Sequence, residues 1–189
     1  MHWPDPDEQI EEAWRTMVAL RDEGKVRTIG VSNCSPAQLK RLHAIHPVAS
    51  LQPPYNMIVR GIESETLAYC GENDVGVVCY SPMCKGLLTG TFTAERAAAL
   101  PADDHRSRDP KFSQPQLGVH LRLVDQLKSV ADRTNRSVAE LSIAWTLRRP
   151  EVTSAIVGAR RPAQIESTFG AGDWELSDDE TIEIDSLLD

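Results

Sequence analysis

Apolar residues fall into two kinds of spacing along the chain. In "DEQIEEAWRTMVALRDEGK", Ile10, Trp14, Met17, Val18 and Leu20 share one helical face, and Gly24 follows as a stop. The next stretch, "RTIGVSN", is a short apolar run that ends in polar residues. Then "SPAQLKRLHAI" predicts a helix, with Ser35 at the cap and Pro36 at the first helical position. This strand, loop and helix order recurs. "VASLQ" is followed by "ESETLAYCGEN", "VGVVCY" after a long insert by "LRLVDQLKSVADRTN", and "VTSAIV" by "PAQIESTF". The strand runs lack clean alternation, as expected where helices bury both faces of a parallel sheet. The final "ELSDDETIEIDSLLD" predicts an amphipathic helix capped by Ser177.

Open doubly wound sheets and closed eight-stranded barrels both use such units, and the loops choose between them. No GxGxxG follows a first strand, whereas polar residues close nearly every strand: Ser32 and Asn33, Gln52, Tyr80 and Ser81, then Gly158 and Arg160. Barrels build their sites at those strand ends. The opening "MHWPDPDE" reads as the last residues of a strand turning into a loop, since Pro4 and Pro6 bar a continued ladder and Asp5 favours a turn. Counting that remnant at Trp3, the fold expected is α/β, the C-terminal portion of a TIM (β/α)8 barrel, with about five of its eight βα units. It is expected to be one domain over residues 1–189, a partial barrel without the N-terminal units. Its sheet would have open edges near Trp3 and at "VTSAIV".

Composition narrows the function. A formal charge of −8 disfavours nucleic acid and anionic membrane surfaces, so any anion site is a local exception. No apolar run reaches the roughly 20 residues that span a bilayer, and no basic-then-apolar leader opens the chain. Cys34, Cys70, Cys79 and Cys84 show no CxxC spacing, so reduced thiols in a cytoplasmic protein are expected. His43 and His46 stand three apart without companion ligands, so no metal is expected.

The strongest chemical signal lies in two loops. In "SPMCKGLLTGTF", Gly86 and Gly90 let the backbone approach a ligand and offer amide donors. In "GARRPAQIE", Gly158 permits a tight turn, two arginines follow, and Pro162 opens a helix whose free amides attract anions. Barrels commonly bind phosphate after their last two strands, so both loops are expected to serve one phosphate.

These stretches, with "HWPDP", "GKVRTIGVSNCSPAQL", "QPPYNMIVRGIE", "ELSIAWTLRRPEVTSAIVGARRPAQIE" and "ELSDDE", resemble the aldo-keto reductases in the family's order and over nearly the whole chain. The resemblance implies an oxidoreductase that reduces an aldehyde or ketone with NADPH. It implies that Ser32, Asn33 and Gln52 hold the nicotinamide carboxamide and that Tyr80 stacks on the ring. The loop from Ser81 through Pro82, Met83, Gly86, Leu87 and Leu88 would wrap the pyrophosphate. Arg160 and Gln164 would meet the 2′-phosphate and adenine, with Gly158 giving close approach and Arg161 helping. A guanidinium fork suits a dianionic phosphate, which favours NADP(H).

By the same resemblance His2 is the active-site histidine that orients the carbonyl and Trp3 walls the substrate pocket. Thr168 stands where relatives often carry Asn. The family's catalytic Asp, Tyr and Lys belong to earlier strands and are absent from these residues. Neither Tyr55, after "QPP", nor Tyr69, on a helix, stands in for the proton donor. The 189 residues alone are therefore expected to be inactive, with substrate choice left to the insert "TAERAAALPADDHRSRDPKFSQPQ" and to loops outside the sequence. The partner is a small carbonyl compound, and oligomeric state is left open. Two other readings are a non-catalytic NADP-binding or regulatory module and a phosphate-binding barrel isomerase or aldolase.

Overall fold

In the computed structural model of the chain, which describes residues 1–188, four strands form one parallel sheet in sequential order. They are β1 (Val31–Ser32), β2 (Ser50–Gln52), β3 (Gly76–Tyr80) and β4 (Val152–Ile156). The register pairs Ser32 with Gln52, Leu51 with Val77, and Tyr80 with Ile156. Ser32, Gln52 and Tyr80 are the last residues of their strands, so parallel pairing brings all three to one end of the sheet.

The helices are α1 (Ile10–Asp22), α2 (Pro36–His43), α3 (Thr66–Glu72), α4 (Ala94–Ala98), α5 (Gln116–Arg133), α6 (Val138–Leu147), α7 (Pro162–Phe169) and α8 (Asp178–Leu188). The residues group into two compact units. The first holds the whole sheet with α1, α2 and α3, and runs through Met1–Tyr55, Arg60–Tyr80 and Arg149–Ile156. The second holds α4 to α8, and runs through Asn56–Val59, Ser81–Arg148 and from Val157 on.

Local chemistry sets the helix starts. Ser35 Oγ accepts from the Gln38 amide while the Gln38 side chain accepts from the Ser35 amide, a reciprocal cap with Pro36 at the first helical position. The Ser177 hydroxyl and the Glu180 carboxylate make the same exchange before α8. In the first unit α1 buries Ile10 and Trp14, and the Trp14 indole donates to the His46 carbonyl at 3.2 Å. In the second unit α6 buries seven of its ten residues among α5, α7 and the turns Cys84–Thr89 and Gly170–Asp173. A helix covered on all sides has no polar face to mark its period, which is why the pattern of "SVAELSIAWTL" did not announce it.

The expected fifth strand is not there among the described residues. Only Met1 pairs with β1, through its ammonium on the Gly30 carbonyl at 2.8 Å and its own carbonyl on the Ser32 amide at 2.9 Å. From His2 onward the chain leaves the ladder, since Pro4 and Pro6 have no N–H to give and Trp3 stands 57% exposed. The other edge is as expected: β4 is an outer strand, and Thr153, Ser154 and Ile156 are exposed.

Candidate functional site

At the C-terminal ends of β1, β2 and β3 the first unit carries a continuous chain of polar side chains. The Tyr80 hydroxyl donates to Asn33 Oδ1 at 3.0 Å. Asn33 Nδ2 gives its two hydrogens to Ser32 Oγ at 3.1 Å and to the His2 carbonyl at 3.2 Å. Ser32 Oγ donates to the Gln52 carbonyl at 2.6 Å. Asn33 sits at φ 61°, a left-handed conformation that Asn tolerates better than most residues, and its amide N–H also meets the Gln52 carbonyl at 3.2 Å.

Five of the residues picked from sequence, His2, Ser32, Asn33, Gln52 and Tyr80, are thus drawn into one neighbourhood. They are not equally free. Both polar atoms of the Asn33 side chain are engaged within the chain, whereas the Gln52 side chain makes no hydrogen bond to the described residues. Gln52 lines a cleft of about 370 Å³ with Met1, His2, Gly30, Val31, Ser32, Ser50 and Val78. His2 is exposed, and its ring lies 5.6 Å from that of Trp3.

In the second unit, the loop after β3 is built on left-handed backbone: Ser81 at φ 57°, Cys84 at 46°, Lys85 at 55°, Gly86 at 98° and Gly90 at 79°. A side chain at Gly86 would meet nothing within 4 Å, so glycine is needed there for its dihedral and not for space. Leu87 and Leu88 have 0% exposure and serve the core. Pro82 is buried and has no amide to donate. Any ligand of this loop meets its main chain, the half-buried Ser81 and Met83 and the exposed Lys85.

In the last loop Arg160 and Arg161 are exposed, and neither guanidinium has an acidic partner among the described residues. Arg161 caps α7 in extended conformation, and Pro162 is its first residue. Gln164 accepts from the Arg160 amide through its side chain at 2.7 Å, so it braces the helix start. Thr168 Oγ1 bonds back to the Gln164 carbonyl at 2.9 Å. Gly158 lies outside the left-handed region with open space around it, so the tight turn expected there is not what requires a glycine.

The sequence matches the Aldo/keto reductase family over residues 1–189. The chain belongs to the aldo/keto reductase family. It is 38% identical over 190 residues to Aldo-keto reductase YhdN of Bacillus subtilis, covering all of this chain and 57% of that protein. It is 31% identical over 183 residues to Aldo-keto reductase yakc [NADP(+)] of Schizosaccharomyces pombe, covering 95% of this chain and 53% of that one. The structure is similar to that of the glycerol dehydrogenase AKR11B4 from Gluconobacter oxydans, with TM-score 0.88 and 37% identity over 99% of this chain and 56% of that one. The chain spans about half the length of the curated relatives it matches.

Two residues with long-range contacts in this aldo/keto reductase chain are not marked by the sequence. Asn56 is 1% exposed. Its Nδ2 donates to the Ser81 carbonyl at 3.0 Å, and its Oδ1 accepts from the Ile58 and Val59 amides at 3.0 and 2.9 Å. It therefore fixes the first residue of the loop after β3. "QPPYN" contains it, but Ser81 lies 25 positions away and no local signal links the two. The other is Asp109, which holds Lys85 at 2.9 Å.

The four cysteines are buried free thiols. Burial pushes Cys34, Cys70 and Cys84 up to about 11 and Cys79 to about 12. An unfolded thiol titrates near about 8.5. These raised values favour the folded chain fully below that pH, and the contribution is lost as pH rises through about 9 to 11. The folded chain at pH 8 is expected to resist iodoacetamide at all four thiols and to lose urea resistance steeply above pH 9. Rapid labelling of any of the four in native buffer contradicts this burial.

Proposed function

We propose that the chain supplies the cofactor-binding part of an NADPH-dependent reductase of aldehydes or ketones. The observation that carries it is the Tyr80–Asn33–Ser32–Gln52 row at the strand ends, in a chain of this family. Bound NADPH supplies the hydride. A carboxamide needs paired donors and acceptors, and Gln52 offers both without breaking an existing bond. Asn33 and Ser32 offer theirs by exchanging partners, and the Tyr80 ring gives a flat apolar face. The loop Ser81–Leu88 offers main-chain donors to a pyrophosphate, and Arg160 and Arg161 bring unpaired positive charge to a 2′-phosphate. His2 steers a carbonyl oxygen beside Trp3. The sheet is then a C-terminal arc of a (β/α)8 barrel, four strands with Met1 paired beside β1. The free thiols suit a reducing cytosol. Among the described residues no helix is long and apolar enough to cross a membrane.

Cofactor choice gives a direct test. Arg160→Ala is expected to weaken NADPH binding by about 1.5–3 kcal/mol, the loss for a hydrogen bond to a charged group, while leaving NADH nearly unchanged. A fluorescence titration with both cofactors reads it out. Equal losses for the two overturn the assignment of Arg160 to the 2′-phosphate. Dinucleotide binding without turnover, even with a complementing N-terminal half, favours a regulatory module.

A further inference from the structure

The loop after β3 holds an unusual backbone, and its restraint comes from the segment that follows it. Cys84, Lys85 and Gly86 are left-handed in succession, at φ 46°, 55° and 98°. Glycine takes such angles freely, but a residue with a Cβ is opposed by its own carbonyl oxygen. Within the loop the turn is closed by Cys84 N–H on the Ser81 carbonyl at 2.9 Å, and by the Gly86 and Leu88 amides on the Met83 carbonyl at 3.0 and 3.1 Å. None of these bonds grips Lys85 itself.

Lys85 is held from outside at two points. Its ammonium donates to Asp109 Oδ2 at 2.9 Å, and its carbonyl accepts from Arg106 Nη1 at 3.5 Å. Both partners sit on one short stretch, the turns His105–Arg108 and Pro110–Phe112 with Asp109 between them. That stretch is anchored in its turn. Asp104 binds Arg106 Nη2 at 2.7 Å and Nε at 3.0 Å. Asp109 also accepts from the Lys111 amide at 3.1 Å and from its ammonium at 3.3 Å. The Phe112 ring meets Phe92 edge-on at 5.3 Å, with both residues at most 5% exposed. The Asp109 side chain is 12% exposed, against 38% for Lys85. Burial raises the Asp109 carboxyl, but the bonds from Lys85 and the Lys111 amide outweigh that and keep it ionised below its ordinary range.

We propose that Asp109 is a positioning residue for dinucleotide binding, acting through Lys85 to hold the left-handed run from Cys84 to Gly86 and so the main-chain donors of the loop. This rests on the reading of Ser81–Leu88 as the pyrophosphate loop. Lys85 is then a tether for the loop, its ammonium held on the Asp109 carboxylate. The insert, expected from sequence only to shape a substrate pocket, acts as a brace for this loop.

The proposal has a sign that charge alone does not share. Removing a carboxylate beside an anion-binding loop should tighten anion binding by ordinary electrostatics. If Asp109 positions the loop, Asp109→Asn weakens NADPH binding about tenfold and raises amide hydrogen exchange across residues 84–90 by a similar factor. Lys85→Met cuts the same pair from its exposed side and is expected to give the same exchange increase, which covers the case in which Asp109→Asn fails to fold. Lys85→Gly placed in the Asp109→Asn background removes the steric opposition and is expected to recover NADPH affinity to within about threefold of the unsubstituted chain. Unchanged exchange in both single variants, tighter binding in Asp109→Asn, or no recovery with glycine each overturns the proposal. If the unsubstituted chain binds no dinucleotide, the functional reading of the loop fails, and the exchange comparison alone decides whether Asp109 restrains it.

Discussion

Purified by itself, the 189-residue chain is expected to oxidise NADPH with a reactive aldehyde at no more than about a hundredth of the rate it reaches with a complementing aldo/keto reductase N-terminal half. Hydride addition leaves negative charge on the carbonyl oxygen, and a positioned acid that protonates it is typically worth about a hundred- to ten-thousand-fold. By the resemblance described above, the family's Tyr, Lys and Asp are expected on strands that precede these residues. His2 is a weak substitute. Its imidazole is exposed and makes no hydrogen bond to the described residues, and its neighbour Trp3 is 57% exposed, so nothing fixes the ring. Misplacement of a catalytic group by about 1 Å already costs about a hundredfold. Loss of NADPH absorbance measures the rate, with and without a half that carries the three residues. Comparable turnover in both arms means that catalysis uses groups within these 189 residues.

The largest expected effect on stability comes from Trp14. Its side chain has 0% exposure, and its indole N–H meets the His46 carbonyl across 32 residues, joining α1 to the segment before β2. Trp14→Ala removes that bond and leaves a cavity that neighbouring side chains fill only in part. The cost expected is about 3–5 kcal/mol, a large part of the roughly 5–15 kcal/mol that holds a typical domain together. In a chain of this size it corresponds to a fall of roughly 6–20 °C in melting temperature. Trp14→Phe retains most of the packing but leaves the His46 carbonyl unsatisfied, for about 1–3 kcal/mol. Trp3→Ala, at an exposed site, is expected to change stability by no more than about 0.5 kcal/mol. Circular dichroism during thermal and urea unfolding separates the three. A loss below about 1 kcal/mol for Trp14→Ala shows that α1 is not anchored through this ring.

What the sequence made legible was what is decided within a few residues. Ser35 with Pro36, and Ser177 with Glu180, mark their helix starts because donor and acceptor lie three positions apart. The four strand runs, with polar residues closing them, located Ser32, Gln52 and Tyr80 before any register was known. What stayed hidden depends on distant pairing. The Tyr80 bond to Asn33 spans 47 positions and that of Asn56 to Ser81 spans 25, and both exist only because parallel strands deliver their ends together. Helix α6 was missed because burial on every side erases the periodicity used to find helices. The strand expected at Trp3 does not form, since among the described residues only Met1 has backbone groups in place to reach β1. The bond from the Arg160 amide to the Gln164 side-chain oxygen was likewise not marked by the motif.

The parallel sheet also sets a timetable. Residues paired between β1 and β2 or between β2 and β3 lie within 26 positions, but Val77 and its β4 partner Val152 are 75 apart. At synthesis rates of roughly 5–20 residues per second, the outer edge of β3 waits about 4–15 s for the strand that covers it. Most of the second unit, Ser81–Arg148, emerges during that wait. An unpaired edge on a ribosome-bound chain is open to any neighbouring strand, including one from another nascent copy. A slower arrival of residues 149–156 after residue 80 is therefore expected to lengthen the time for which this edge of β3 stands unpaired.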